Sequence, residues 1–117
     1  MAQYMLLLRS EGSGFQGMSP EQIQGIIQKY TNWRTSLQDR IALGKKLKDG
    51  EGQVLRKNGG KPSVTDGPYV EAKEVMGGFF VIEADSYEQA VEVAKTCPHM
   101  DFGSIEIRAV ERTAERA

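Results

Sequence analysis

Cysteine, histidine and long apolar runs are all scarce in this chain of 117 residues. Cys97 is its single cysteine, so no intrachain disulfide can form and a cysteine-rich metal site is excluded. The longest early apolar run, residues 4–8, is too short for a membrane span or a signal-peptide core, and no cationic segment precedes it. We therefore expect a cytoplasmic protein that does not associate with a membrane.

The chain also lacks an excess of either charge, because its formal net charge is -1. A large nucleic-acid interface requires a strongly basic surface, so no nucleic-acid partner is expected. The apolar content of 39% and the charged content of 26% are those of an ordinary globular protein. The length predicts a single domain over residues 1–112, followed by a frayed charged tail at 113–117.

Alternating strand and helix signals fill the first half of the chain. The apolar run at 4–8 predicts a buried strand. Ser19, Pro20 and Gln22 form a capping box with proline at the first helical position, which predicts a helix start. We expect this helix to end at Gly44. Its predicted apolar stripe consists of Ile23, Ile26, Ile27, Tyr30, Trp33, Leu37 and Ile41.

Turn residues dominate the middle of the chain. Residues 45–48 are predicted to form a strand, and the turn Asn58-Gly59-Gly60 predicts an additional hairpin with strands at 54–55 and 62–65. A second strongly apolar strand is predicted at 77–84, with the unbroken apolar run 79–82 at its centre.

The last third of the chain predicts one more helix and one more strand. Asp85 or Ser86 caps the helix, which ends near Thr96. Its predicted buried stripe is Tyr87, Ala90, Val91, Ala94 and Cys97. An alternating strand follows at 104–110.

This order of elements predicts an α+β fold of the ferredoxin-like type. The order is βαββαβ in one antiparallel sheet, with two helices on one face and the hairpin as an addition. The two strands that are apolar at every position belong in the middle of such a sheet. Since both helices cover the same face, the other face needs a second cover, and a second copy of the chain is the simplest one. We therefore predict a homodimer that packs through its sheet faces.

The tetrapeptide Thr65-Asp66-Gly67-Pro68 has two interpretations. As a turn, it uses the aspartate carboxylate to cap the backbone and the glycine and proline to set the dihedral angles. Alternatively, Thr65 and Asp66 stand at the mouth of a cavity between sheet and hairpin, where a carboxylate could take a proton or orient a hydroxyl group.

The charged run after this turn also leaves two interpretations open. Glu71, Lys73 and Glu74 alternate in sign, as in a solvated loop. Alternatively, Lys73 binds an anionic ligand while the two glutamates set its position, and Arg108 lines the same cavity.

His99 is the only histidine of the chain. It is expected to be either an exposed loop residue or one half of an acid–base dyad with Asp101 or Asp66. His99 and Cys97 are too few ligands for a zinc site, and no glycine-rich phosphate loop is present. We expect neither a metal nor an organic cofactor.

The run from Thr65 to Glu74, the pair Gly77-Gly78 before Phe79, and Ile105-Glu106-Ile107-Arg108 together resemble the DGPF-domain branch of the YCII-related proteins. This resemblance implies a ferredoxin-like fold that dimerises through its sheets, in the dimeric α/β-barrel superfamily. It also implies a bacterial protein. Relatives in that superfamily include lactone isomerases, dehalogenases and monooxygenases.

Two functions follow from the residues and the resemblance together. The first is binding of a small polar or anionic molecule, with acid–base chemistry of the isomerase or lyase class and without a cofactor. The second is a non-catalytic regulatory module that acts with an extracytoplasmic-function sigma factor.

Overall fold

The computed structural model describes residues 2–11, 17–37, 39–67 and 75–111. The predicted ligand-binding residues Glu71, Lys73 and Glu74 lie outside the described residues, as does the predicted tail at 113–117. The described elements are, in chain order, β1 Ala2–Ser10, α1 Pro20–Ser36, β2 Ile41–Lys46, β3 Gln53–Asn58, β4 Lys61–Asp66, β5 Val75–Ala84, α2 Tyr87–Lys95, a 3₁₀ turn at Pro98–Asp101 and β6 Ser104–Ala109. No helix in these ranges is long and apolar enough to cross a membrane.

Four strands form the main sheet in the order β2-β5-β1-β6, with every neighbouring pair antiparallel. The strands β1 and β5, which carry the unbroken apolar runs 4–8 and 79–82, lie in its centre, and the alternating strand β6 lies at one edge. This is the arrangement that the hydrophobic patterns predict, and the ferredoxin-like α+β fold is confirmed.

The core lies between one face of this sheet and the two helices. Alternate residues of β1 and β5 point into it, and Trp33 of α1 packs edge-on against Phe80 with ring centroids 5.0 Å apart. The predicted core position of Trp33 is therefore confirmed. The buried sheet residues are Tyr4, Leu6, Leu8, Phe80, Ile82 and Ala84, and α2 adds Ala90, Val93 and Ala94.

The opposite sheet face, here called the open face, has no helix over it in the described chain. Met5 pairs with Val81 and Leu7 pairs with Phe79, and these four side chains are only half-buried. Leu43 of β2 continues the same face and is 45% exposed. The middle positions of the central strands, 5–8 and 79–82, are thus apolar on both faces, but within the described residues only one face is covered.

Helix α1 begins as predicted and ends earlier than predicted. The Ser19 hydroxyl accepts the Gln22 backbone N–H at 3.1 Å, and the Gln22 side chain accepts the Ser19 N–H at 2.8 Å. The predicted end at Gly44 is wrong, since the helix stops at Ser36 and Ile41 lies in β2. Ile41 continues the helical spacing only by coincidence.

Gly44 has a packing role in β2. A Cβ atom at this position would overlap the ring of Phe80. The glycine therefore permits close contact between β2 and the central strand rather than ending a helix.

Helix α2 has the predicted limits, with Ser86 as its N-cap and Thr96 as its C-cap. Its predicted stripe is partly wrong, because Tyr87 and Val91 are exposed whereas Val93 is buried. Tyr87 instead lies at the border of the core. Its ring packs edge-on against Tyr4 at 4.9 Å, and its hydroxyl accepts the Ala109 N–H at 2.9 Å.

The predicted hairpin is confirmed as a separate two-stranded sheet of β3 and β4. Gly59 and Gly60 form its turn with φ of 56° and 83°, a region that glycine enters without steric strain. Leu55 lies directly opposite Val64, and both side chains are exposed.

Candidate functional site

A cavity of about 460 Å³ lies between the end of the main sheet and the base of the hairpin. Ser10 closes it from β1, Met76 from β5 and Gln53 from β3. Its described lining consists of Ser10, Leu47, Lys48, Asp49, Gly50, Glu51, Gly52, Gln53, Val75, Met76 and Gly77. This volume is within the usual range of small-molecule sites, about 300–1,000 Å³.

The cavity exists because two strands change register at its edge. The pairing of β1 with β5 shifts between Leu8 and Arg9, which leaves Gly77 as an extra residue in β5. The Gly77 carbonyl then accepts the Leu47 N–H at 2.9 Å, so the chain leaving β2 is held beside the bulge. Gly50, with φ of 70°, turns this chain back towards β3.

The described lining combines apolar, neutral polar and charged residues. Leu47, Val75 and Met76 supply apolar surface, whereas Ser10 and Gln53 supply neutral hydrogen-bonding groups. Among the charged lining residues, Asp49 is engaged by Lys46 at 3.1 Å. Glu51 has no ion-pair partner within the described parts of the chain. Its carboxylate is therefore available to a ligand.

Thr65 and Asp66 lie at the base of the hairpin, next to the cavity but not in its described lining. Both are exposed, and Asp66 pairs with the lining residue Gln53 across the hairpin. The Gly67 N–H donates to the Gly52 carbonyl at 2.7 Å and closes the hairpin base. The turn interpretation does not match this placement, because Thr65 and Asp66 are the last two residues of β4 and Gly67 does not have a positive φ. A role for Asp66 in chemistry stays a prediction.

Arg108 lies elsewhere. It is an exposed residue of the edge strand β6 and pairs with Met5 on the open face. Near it, Arg9 forms an ion pair with Glu106 at 3.1 Å. Arg108 is not part of the described cavity lining, so the structure does not bring it together with Asp66.

His99 is buried, and its interpretation as an exposed loop residue is wrong. Its Nε2 lies 2.8 Å from the carbonyl oxygen of Arg9, which can only accept, so Nε2 carries the proton. Nδ1 then faces the Tyr30 hydroxyl at the long distance of 3.5 Å. Among the described residues no carboxylate contacts either ring nitrogen, so the predicted dyad with Asp101 or Asp66 is not formed.

Two other ionisable groups share this buried neighbourhood. Burial, with smaller contributions from Cys97 and Asp101, raises the pKa of Tyr30 to about 12. Burial likewise raises the pKa of Cys97 to about 11, although a hydrogen bond with the His99 backbone acts in the opposite direction. Both groups are protonated at neutral pH, so neither is an activated nucleophile. The helical spacing marks Tyr30 as a core residue and gives no sign that it faces His99.

Metal ligands are not gathered anywhere in the described ranges. No group of three or more His, Cys, Asp or Glu side chains there is close enough to hold an ion.

Comparison with known proteins places this fold in a family. A solved structure with a similar fold is 5-chloro-2-hydroxyhydroquinone dehydrochlorinase (TftG) from Burkholderia phenoliruptrix AC1100, in complex with 2,5-dihydroxybenzoquinone. The TM-score is 0.52 at 14% identity, with 93% of each chain covered. An uncharacterized protein of Rhizobium meliloti (strain 1021) is 36% identical over 57 residues, which span 47% of this chain and 46% of that relative. The family model of the YCII-related domain matches residues 2–114, and the protein therefore belongs to the YCII-related family.

Proposed function

We propose that this protein is a homodimer that binds a small, oxygen-rich organic molecule in the cavity between the main sheet and the hairpin. The proposed chemistry is proton transfer of the isomerase or lyase class, carried out by side chains without a metal or organic cofactor. The observation that carries this proposal is the cavity itself, whose described lining contains both apolar and charged residues. Such a combination orients a small ligand through a few polar groups while its remaining surface is buried.

The fold neighbour supports this ligand class by analogy. TftG is described in complex with 2,5-dihydroxybenzoquinone, a small ring with several oxygen atoms. Because the identity is 14%, the likeness establishes the fold and gives only a starting point for the ligand. Ser10 and Gln53 provide the hydrogen-bonding groups that oxygen atoms of such a ring would use.

Glu51 is our preferred proton acceptor. It lines the cavity, whereas Asp66 lies beside it and Asp49 is held by Lys46. A general base must come within hydrogen-bond reach of the proton that it removes. Of these three carboxylates, we therefore choose the one that lines the cavity and has no ion-pair partner among the described residues. Lys48 also lines the cavity. Its ammonium group would stabilise the negative charge that proton removal creates on the ligand.

The proposed dimer is supported by the amount of exposed surface. The chain exposes 8519 Å², whereas a compact monomer of its mass, 13.0 kDa, exposes about 6,300 Å². A standard interface buries about 800 Å² on each partner, so the excess is sufficient for one. The apolar pairs on the open face, Met5 with Val81 and Leu7 with Phe79, are the surface that this contact would bury.

We also propose that the chain belongs to the DGPF branch of its family. The support is the ordered motif at 65–74 and the placement of Asp66 and Gly67 at the hairpin base beside the cavity. Association with an extracytoplasmic-function sigma factor stays a prediction from the resemblance.

A ligand screen tests the proposal. Thermal unfolding is followed with 2,5-dihydroxybenzoquinone, hydroxylated benzoic acids and small dicarboxylic acids, each at several concentrations. A ligand at 100 times its Kd stabilises the folded state by about 2.7 kcal/mol, which raises the melting temperature by several degrees. We expect at least one compound of this class to produce a saturable shift.

Two glycine variants locate the binding site in the same screen. Gly77 lines the cavity, and a Cβ atom added to it meets no atom within 4 Å, so we expect Gly77→Leu to occupy part of the cavity. Gly25→Leu adds the same side chain to an equally open position on α1. The shift should disappear in Gly77→Leu and persist in Gly25→Leu. No saturable shift with any compound, or an undiminished shift in Gly77→Leu, would rule out binding in this cavity.

A further inference from the structure

We infer that the β3–β4 hairpin is a dimerisation arm, whose Leu55–Val64 face packs on the open face of a second copy of this chain. The inference rests on the homodimer proposed above and adds the segment that the partner contributes. It also gives the hairpin, which is additional to the ferredoxin-like order, a specific role.

The hairpin exposes an apolar face that nothing in the described chain covers. Leu55 is 68% exposed and its cross-strand partner Val64 is 57% exposed. Pro62 lies two residues from Val64 on the same face and is also exposed. An isolated two-stranded hairpin is at best marginally stable in water, and packing against another surface is what normally stabilises it. The Leu55–Val64 face is the natural place for that packing.

The hairpin does not fold back on its own sheet. The radius of gyration of the chain is 16.3 Å, whereas a compact chain of this length has a radius of about 13 Å. The principal extents are 48 × 44 × 19 Å, so the molecule is flat and wide. A segment that projects in this way can reach a neighbouring molecule while leaving its own sheet face open.

The open face offers a surface of matching character. Leu43, Val81 and Met5 form a continuous cross-strand row, and the pair Leu7–Phe79 lies beside it. Apolar contact between this row and the Leu55–Val64 face would remove both surfaces from water, which is the main source of interface free energy.

Net charge favours a second copy of this chain as the molecule that covers the open face. The hairpin at 53–66 has a net charge of +2, whereas the rest of the chain has a net charge of -3. The open face itself carries both signs, because Glu83 and Glu106 lie on it together with Lys45 and Arg108. The attraction therefore acts between the hairpin and the rest of the chain as a whole. A basic arm is attracted to an acidic body, which steers two copies together and disfavours the contact of two hairpins of like charge.

The experiment compares two double variants with the wild type by sedimentation velocity over a wide range of protein concentration. Leu55→Ser/Val64→Ser removes the apolar pair of the arm. Val91→Ser/Met100→Ser removes two exposed apolar side chains from α2 and the 3₁₀ turn, on the helical side of the molecule. We expect the dimer dissociation constant to rise at least tenfold in the arm variant and to change less than twofold in the control.

Hydrogen exchange of the unmodified chain provides a second measurement, which does not depend on the folding of any variant. The backbone amides of residues 53–58, 61 and 63–66 should become better protected when the concentration is raised from below to above the dissociation constant. Increased protection there supports the arm.

The possible outcomes distinguish failure of the arm proposal from failure of the dimer proposal. A wild-type dimer that the arm variant leaves unchanged, with no change in hairpin protection, overturns the arm and leaves the proposed dimer intact. A wild type that stays monomeric at every concentration overturns both. Equal weakening in the arm variant and the control also overturns the arm, because the effect is then not specific to the hairpin.

Discussion

The Nε2–H group of His99 donates to the backbone carbonyl of Arg9 at 2.8 Å. This bond joins the 3₁₀ turn after α2 to the end of β1, at a buried position where water cannot replace the donor. Arg9 is followed by Ser10, which lines the cavity, so the bond also fixes the strand end from which the cavity is built. His99 therefore makes a structural contact between the 3₁₀ turn and β1, and its predicted catalytic role stays a prediction.

Replacement of His99 by phenylalanine should destabilise the protein. The Arg9 carbonyl would lose its buried donor, and an unsatisfied buried group costs about 1–3 kcal/mol. Tyr30→Phe should cost less than about 1 kcal/mol, because the contact that it removes is long, 3.5 Å. Urea unfolding of both variants measures the difference. Equal stabilities of wild type and His99→Phe would contradict the structural role.

Gly103 should not tolerate even alanine. A Cβ atom there would overlap the Arg9 carbonyl oxygen and would lie 3.0 Å from the Nε2 of His99. We expect Gly103→Ala to lower the free energy of unfolding by about 2 kcal/mol through overpacking. Gly25→Ala is the matched control, since it has open space and an α-helical position. It should stabilise the protein by up to about 1 kcal/mol, because alanine is the better helix former. Chemical denaturation of the two variants shows whether their effects have opposite signs.

The two helices are linked by one hydrogen-bonded threonine. Thr96 Oγ1 accepts the indole N–H of Trp33 at 2.7 Å and donates to the Val93 carbonyl at 2.7 Å. Thr96→Val should cost about 1–2 kcal/mol, because the buried indole N–H loses its acceptor. Thr35→Val makes the same chemical change on the exposed face of α1, where we expect less than about 0.5 kcal/mol. Thermal unfolding of the pair compares them directly. A larger loss in Thr35→Val would contradict the assignment.

Stability should fall on the alkaline side in two overlapping steps. Folding raises the pKa of Cys97 from 9.0 to about 11 and that of Tyr30 from 10.0 to about 12. A raised pKa means that the folded state holds the proton more tightly, so the contribution is complete below the ordinary pKa and is lost as pH rises through the folded value. Stability should therefore decline from about pH 9 to about pH 12. Cys97→Ala should remove the part of the decline below pH 10, as urea midpoints measured at pH 8, 9, 10 and 11 would show. An unchanged profile in this variant would contradict the assignment to Cys97.

The positions of the strands could be predicted from the sequence because burial on two faces produces a distinctive pattern. β1 and β5 are apolar at successive positions, β6 alternates, and these patterns alone place the strands in the centre and at the edge of the sheet. The end of α1 could not be predicted in the same way. Ile41 falls at the helical spacing after Leu37, and its pairing with the distant residue Ile82 of β5, which no local pattern records, is what places it in a strand.

The residues that line the candidate site are harder to predict from the sequence than the strands are. The cavity is formed by backbone turns and by residues from three strands, at positions 10, 47–53 and 75–77. No single motif contains them, and a β-bulge leaves little trace in residue types. Conversely, His99 attracts a functional interpretation because histidine titrates near neutral pH, whereas its environment depends on the distant residue Arg9.

Ligand binding in the cavity is the central claim, and amide chemical shifts test it most directly. The compound with the largest thermal shift is titrated into isotope-labelled protein. We predict saturable shift changes at Ser10, at residues 50–53 and at Met76 and Gly77, with a Kd equal to that from thermal unfolding. Shift changes centred on α2 or on the outer face of α1, or no saturable change in the cavity residues, would contradict the proposed function.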